Sequence, residues 1–231
     1  MKFKQQFDKL GYVIISDDFI KKKIRKAKQL FMAEFMKKMS EDSPKRNREL
    51  IKRFVDHPTV ASAFNSEYFA KLLMDYFEFK TPVKCGPTVS HFTSNDKTGR
   101  GYGIPFHQDY PSMASSKGSL TCWLNLVDSN LNSHGIEIIP KLHKHGLLDG
   151  KQTDSGYILN ESLLRDGSSV VPTISSGELL VMSSYLPHRT FVNKNFEGLK
   201  LSISQRFDDL NDVDWAMRGY ENAYETKVNR E

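Results

Sequence analysis

The chain has 231 residues, of which 39% are hydrophobic and 26% charged, and a formal charge of +5. That length buries a full core without disulfide or zinc staples, and the two cysteines, Cys85 and Cys122, lack the spacing of a disulfide framework or a metal site. No apolar run approaches the roughly 18 residues of a membrane span, and the opening MKFKQQFDKLGYVII has no secretory-signal pattern, so a reducing, cytoplasmic setting is expected.

In chain order, residues 17–39 predict an amphipathic helix, with Asp17 or Asp18 as its cap and Ile20, Ile24, Leu30, Phe31 and Phe35 near the helical period. Much of the Lys and Arg lies before residue 54, in IKKKIRKAKQ and SPKRNRELIKR. These runs read as solvated helix faces. Without interleaved aromatics they give no reason to expect nucleic-acid binding. Residues 58–78 predict a second helix, opened by Pro58 at the favoured first-turn position.

After residue 80 the texture changes. VKCGPTVSHFT, SLTCWLNLV, GIEIIP, SSVVPTI, GELLVMSS and LKLSISQRF are short, β-branched or aromatic, and bounded by Gly, Pro and Ser. The expectation is one mainly β domain over 1–231: a helical layer at 1–80, a barrel at 81–210 and a tail at 211–231. Residues 94–106, with Gly99, Gly101 and Gly103, are expected to form a mobile lid, and 144–168 a long connection.

The chemistry gathers around GIPFHQDYPSM. Alternation along a strand puts His107 and Asp109 on one face, with Gln108 pointing away. His188 in YLPHRTFVN, expected at the end of the strand GELLVMSS, offers a third ligand. Two His and one carboxylate on one face of a metal is the arrangement of non-haem Fe(II) oxygenases. A lone H-x-D is weak by itself; the order of the segments after it strengthens it. His143 and His145 form a less persuasive second pair. His134 reads as a turn residue, His57 as a helix-entry residue and Arg189 as structural. His91, on a strand approaching the cavity, is a candidate substrate or co-substrate contact.

From Pro105 to Phe207, the succession FHQDY, SLTCWLNLVD, HGIEIIPKLHKHG, GELLVMSSYLPHRTFVN and LKLSISQRF resembles the phytanoyl-CoA dioxygenase family of Fe(II)/2-oxoglutarate oxygenases. FDKLGYVIISDDFIKKKI also resembles that family's opening strand and helix. The resemblance implies a double-stranded β-helix, a jelly-roll of cupin type flanked by helices. It implies Fe(II) held by His107, Asp109 and His188, with 2-oxoglutarate and O2 as co-substrates. A small polar metabolite would be hydroxylated, with release of succinate and CO2. An acid at position 109 fits an oxygenase, since the related halogenases keep a small residue there. The rival readings are a non-catalytic β-barrel binding module and a cupin-type metalloenzyme that does not use 2-oxoglutarate.

The far carboxylate of 2-oxoglutarate needs a buried cation. The family places an Arg about eleven residues after the distal His, but position 199 is Leu. Lys200 and Arg206 are the candidates. Alternation puts Lys200, Ser202, Ser204 and Arg206 on one face, with the two cations roughly 20 Å apart. Arg206 is preferred for its bidentate fork, Lys200 by alignment. The resemblance assigns Thr190 as a hydroxyl partner of the co-substrate and Trp123 as an aromatic flanking the site. Gln108 is left at most a supporting part near the substrate.

Overall fold

The computed structural model describes residues 2–39, 43–94, 103–153, 156–160, 162 and 168–222. Helix α1 (Lys2–Leu10) leads into strand β1 (Tyr12–Ile15) and helix α2 (Asp18–Leu30). Asp17 is the cap of α2; its carboxylate accepts from the Ile20 amide at 2.9 Å and from the Tyr68 hydroxyl at 2.5 Å. Ile20, Ile24, Ala27 and Phe31 recur at helical spacing and form its buried stripe. The helix then widens into a π-turn over Phe31–Phe35, where Phe31 and Phe35 stack with centroids 6.3 Å apart. Asp17→Ala removes a cap and a tertiary hydrogen bond, so it is expected to lower stability by about 1–2 kcal/mol in urea titration.

Helix α3 (Pro44–Asp56) follows, and its ion pairs, Lys52–Glu49 and Arg53–Asp56, are exposed as expected of a solvated face. The predicted helix over 58–78 is two helices, α4 (Pro58–Ala61) and α5 (Glu67–Phe77). The break has a local cause: the Ser66 hydroxyl accepts from the Phe69 amide at 3.2 Å and starts a new helix. Among the described residues no helix is long and apolar enough to cross a membrane.

Strand β2 (Pro82–Ser94), the short helix α6 (Tyr110–Met113), β3 (Leu120–Asn125), β4 (Gly135–Ile138), β5 (Gly150–Thr153), β6 (Gly156–Leu159), β7 (Leu179–Ser183), β8 (His188–Phe191), β9 (Leu199–Asp209) and helix α7 (Val213–Met217) complete the order. β1, β7, β3, β9 and β2 lie side by side in one antiparallel sheet. Its outer face carries Val13, Ile15, Cys122, Leu124, Val181, Leu201, Ile203 and Phe207, packed with the helices. Its inner face carries Trp123, Leu180 and Met182, which pack on Ile136 and Ile138 of β4. β4 pairs with β8 and β5 with β6, and bridges from His107 to His188 and to Ile158 join these two ladders.

The chain is mixed helix and strand, with most of its helices before residue 80, where a helical layer was expected. Two expectations need correction. SSVVPTI forms isolated bridges at Val170 and Ile174 instead of a strand. The span 144–168 is not simply a connection, since it contains the β5–β6 hairpin. Of the expected lid, residues 95–102, including Gly99 and Gly101, lie outside the described residues.

Candidate metal centre

β7 stops at Ser183, the chain turns, and His188 opens β8. It does not end the strand GELLVMSS, as the sequence suggested. His107 sits opposite it: the His107 amide donates to the His188 carbonyl and the His188 amide to the His107 carbonyl, both at 3.0 Å. The ring centroids are 4.2 Å apart. Asp109 has helical backbone angles, φ −74 and ψ −26, and precedes α6. Strand alternation therefore does not explain why His107 and Asp109 converge. The chain turns at Asp109, pinned by the Tyr110 amide on the Ser184 carbonyl at 3.0 Å.

The three side chains present one ligand atom each within 4.8 Å of one another, the single such set among the described residues. Each His Nδ1 lies against the carbonyl two residues before it, Pro105 at 2.8 Å and Leu186 at 2.9 Å. A carbonyl only accepts, so Nδ1 holds the proton and Nε2 presents its lone pair. The two Nε2 atoms each stand 3.9 Å from an Asp109 oxygen. Burial, with His188 beside it, pushes His107 down to about 4, and burial lowers His188 as well. Burial opposes the Asp109 charge, but Arg206, His188 and His107 hold that carboxyl well below the usual carboxylate range. At neutral pH the set is two neutral imidazoles and one carboxylate, the protonation states that a metal ion requires.

Asp109 is held at both oxygens. Arg206 Nη2 donates to Oδ1 at 2.9 Å, and Thr121 Oγ1 donates to Oδ2 at 2.6 Å. Arg206 is thus engaged with a metal-binding carboxylate. Lys200 is placed differently. It is 3% exposed, its Nζ donates to the Gly135 carbonyl at 2.6 Å, and it lies 4.8 Å from the Trp123 ring centre. Burial pushes its pKa down to about 7. No ion pair to Lys200 occurs among the described residues, and an ammonium has three donors. On the same inner sheet face, two buried polar atoms have no partner among the described residues: Ser202 Oγ and Asn125 Nδ2. Residues 125 and 202 are cross-strand partners.

The other expected residues also have places. Trp123 donates from Nε1 to Asn125 Oδ1 at 2.8 Å and stacks on His91, centroids 4.1 Å apart. His91 bonds Ser204 Oγ at 2.9 Å, and burial, Lys200 and Arg206 drive its pKa well down. Thr190 lies two residues beyond His188, with its amide on the Ile104 carbonyl at 3.2 Å. Gly103 abuts it at φ +141, and a Cβ there would lie 2.6 Å from Thr190 Cβ. Gly103→Ala is therefore expected to cost about 1–3 kcal/mol, read from a urea midpoint.

Gln108 is turned away from the ligands. Its amide donates to the Gly146 and Tyr185 carbonyls at 2.8 and 2.5 Å and accepts from the Leu148 amide at 2.9 Å. That makes it a tie between loops. His143 packs on the N-terminal segment, 3.3 Å from the Asp8 carbonyl, and joins no cluster of ligands among the described residues. His134 accepts from the Asn193 amide at 3.2 Å, in keeping with a turn role, and His57 caps α4. Arg189 bonds Glu137 at 2.6 Å over the Phe106 ring, a structural contact. Sequence reasoning missed Thr121 and Asn125. Both stand two residues from Trp123, so alternation along β3 was the available signal. A surface cavity of about 450 Å³ lined by Phe79, Asp208 and Asp212 among others involves none of the three ligands.

A family model described as phytanoyl-CoA dioxygenase matches residues 7–197, which span His107, Asp109 and His188. The chain belongs to the phytanoyl-CoA dioxygenase family. Solved structures agree at the level of fold. One is EctD from S. alaskensis with bound Fe, at 15% identity, covering 90% of this chain and 76% of that one, with a TM-score of 0.65. Another is the epimerase SnoN in complex with Fe3+, alpha ketoglutarate and nogalamycin RO, at 16% identity, 90% and 82% coverage and a TM-score of 0.55. A third is AviO1 from Streptomyces viridochromogenes Tue57, at 15% identity, 91% and 95% coverage and a TM-score of 0.59. No curated protein sequence matches the chain.

Proposed function

We propose that this family member is an Fe(II)/2-oxoglutarate-dependent oxygenase hydroxylating a C–H bond of a small polar metabolite. The observation that carries the reading is the His107–Asp109–His188 set, with both Nε2 atoms turned to one point and both Nδ1 atoms tied back. Two imidazoles and a carboxylate leave three positions on a six-coordinate metal. When bound, the metal and 2-oxoglutarate supply the oxidising chemistry: O2 is consumed, one oxygen atom goes to the substrate, and succinate and CO2 are released.

The chain's own part is binding, orientation and exclusion of water. Lys200 is proposed to receive the far carboxylate of 2-oxoglutarate. It has unused donors, and Ser202 Oγ and Asn125 Nδ2, without partners among the described residues, lie on the same sheet face two residues along β9 and across on β3. A carboxylate satisfies all three at once, which is the fit expected when buried polar atoms lack protein partners. Gly135, which holds the ammonium, pairs with Phe191 next to Thr190, so the Thr190 hydroxyl is proposed as a further donor. Trp123 covers one side of Lys200 and keeps water from the pair. His91, neutral and stacked on Trp123, is a proposed contact for substrate or co-substrate. The two facing groups of strands are proposed to form the double-stranded β-helix of a single catalytic domain. The likeness to the iron- and ketoglutarate-bound neighbours supports this reading.

The test is succinate release that requires added Fe(II) and 2-oxoglutarate and is lost in His107→Ala and His188→Ala. Absence of both metal binding and succinate release across a metabolite panel removes the proposal. Ligand binding indifferent to metal would favour a binding module instead.

A further inference from the structure

We propose that Arg206 is a positioning residue for the metal ligand Asp109, and that with Thr121 it restricts that carboxylate to giving the metal one oxygen. The inference rests on the metal reading of the same site. Arg206 sits on β9 and Thr121 on β3, and they are cross-strand partners. Each reaches Asp109 from the sheet side, Arg206 to Oδ1 at 2.9 Å and Thr121 to Oδ2 at 2.6 Å. The Asp109 side chain is 3% exposed, so no water replaces either bond easily. A carboxylate gripped at both oxygens cannot rotate to bring both oxygens symmetrically onto a metal without breaking a charge-assisted bond.

The consequence is a count of positions. Two imidazoles and one carboxylate oxygen leave three positions on a six-coordinate metal; a carboxylate using both oxygens leaves two. A chelating 2-oxo acid would take two positions, so a third would stay open only with a one-oxygen carboxylate. On this account Arg206 protects the third position and touches neither end of 2-oxoglutarate. Lys200, six residues earlier and bound to Gly135, serves the far carboxylate independently. The two cations of β9 therefore have separate tasks.

Calorimetric titrations of the protein loaded with Mn(II), which needs no oxidant, separate these tasks. Two probes are used. Oxalate offers a chelating end alone; 2-oxoglutarate adds the far carboxylate. Arg206→Met is expected to bind both probes within about threefold of the parent, but water-proton relaxation by its oxalate-bound Mn(II) is expected to fall severalfold, because the third position is taken by the second Asp109 oxygen. Lys200→Met is expected to weaken 2-oxoglutarate and leave oxalate unchanged. Arg206→Lys, which keeps a charged donor, is expected to recover most of the parent's water-proton relaxation. Thr121→Val, nearly isosteric, guards against misfolding of the Arg206 variants and is expected to lower the relaxation part-way, since it removes one of the two charge-assisted bonds to Asp109. A crystal structure of Arg206→Met with Mn(II) is expected to have Asp109 turned to offer both oxygens. Unchanged water-proton relaxation in Arg206→Met would overturn the inference, and affinity loss confined to 2-oxoglutarate would make Arg206 an anchor instead. Failure of the unaltered protein to bind Mn(II) at all is a different result and overturns the metal reading itself.

Discussion

Lys200→Met is expected to raise the melting temperature of the metal-free protein while removing measurable affinity for 2-oxoglutarate from the metal-loaded one. Lys200 is buried against Trp123 with one carbonyl partner and no ion pair among the described residues. Its pKa falls from 10.5 to about 7 through burial. A lysine whose folded pKa is depressed opposes folding wherever the unfolded chain holds the proton more tightly. The penalty is fully present below pH 7, shrinks between about 7 and 10.5, and is gone above that window. It amounts to roughly 3–5 kcal/mol, each pKa unit being worth about 1.4 kcal/mol.

The stabilisation by Lys200→Met is therefore expected to be largest at pH 6 and to be gone above pH 10.5, read from melting curves across pH. Above pH 7 the free site holds a neutral amine, so binding a dicarboxylate there is expected to take up a proton. Calorimetry at pH 8 in buffers of different ionisation enthalpy measures that uptake. A variant that lowers the melting temperature at pH 6, or that binds 2-oxoglutarate as the parent does, would contradict the assignment.

The opposite pattern is expected for Asp109→Ala. Removing the carboxylate deletes a metal ligand and takes the Asp109 ion pair away from the buried Arg206 guanidinium. Breaking a buried pair at one end costs about 3–5 kcal/mol, so this variant is expected to lose that much stability in metal-free urea titration and to bind no metal. The double variant Asp109→Ala, Arg206→Met is expected to regain most of the stability and none of the metal binding. That outcome separates the electrostatic cost from the ligand loss, because a double-mutant cycle isolates the pair. If Asp109→Ala is as stable as the parent, the pair does not contribute as the geometry implies.

Much of this was legible along the chain. The Asp17 cap, the buried stripe of α2 and the alternation of β9 depend on periodicities within a few residues. The identities of His107, Asp109 and His188 and the order of the segments around them pointed to the family that the match over 7–197 bears out. What stayed hidden depended on contacts between distant segments. His107 and Asp109 were assigned to one strand by alternation, yet they converge through a turn held by Ser184. His188 belongs to a strand of its own, paired with β4, which local patterning did not separate from β7.

The two cations of β9 show the division most clearly. Alternation alone placed Lys200 and Arg206 on one face and could not tell them apart. The sequence favoured Arg206 for the co-substrate on the chemistry of its fork. In the fold, Arg206 meets Asp109, 97 positions away, and Lys200 meets Gly135, 65 positions away. The sequence by itself determined which groups face the interior, because side-chain direction follows the local backbone. Only the tertiary structure decided which group each one meets, because that depends on how β3, β4 and the 103–110 segment close over the sheet.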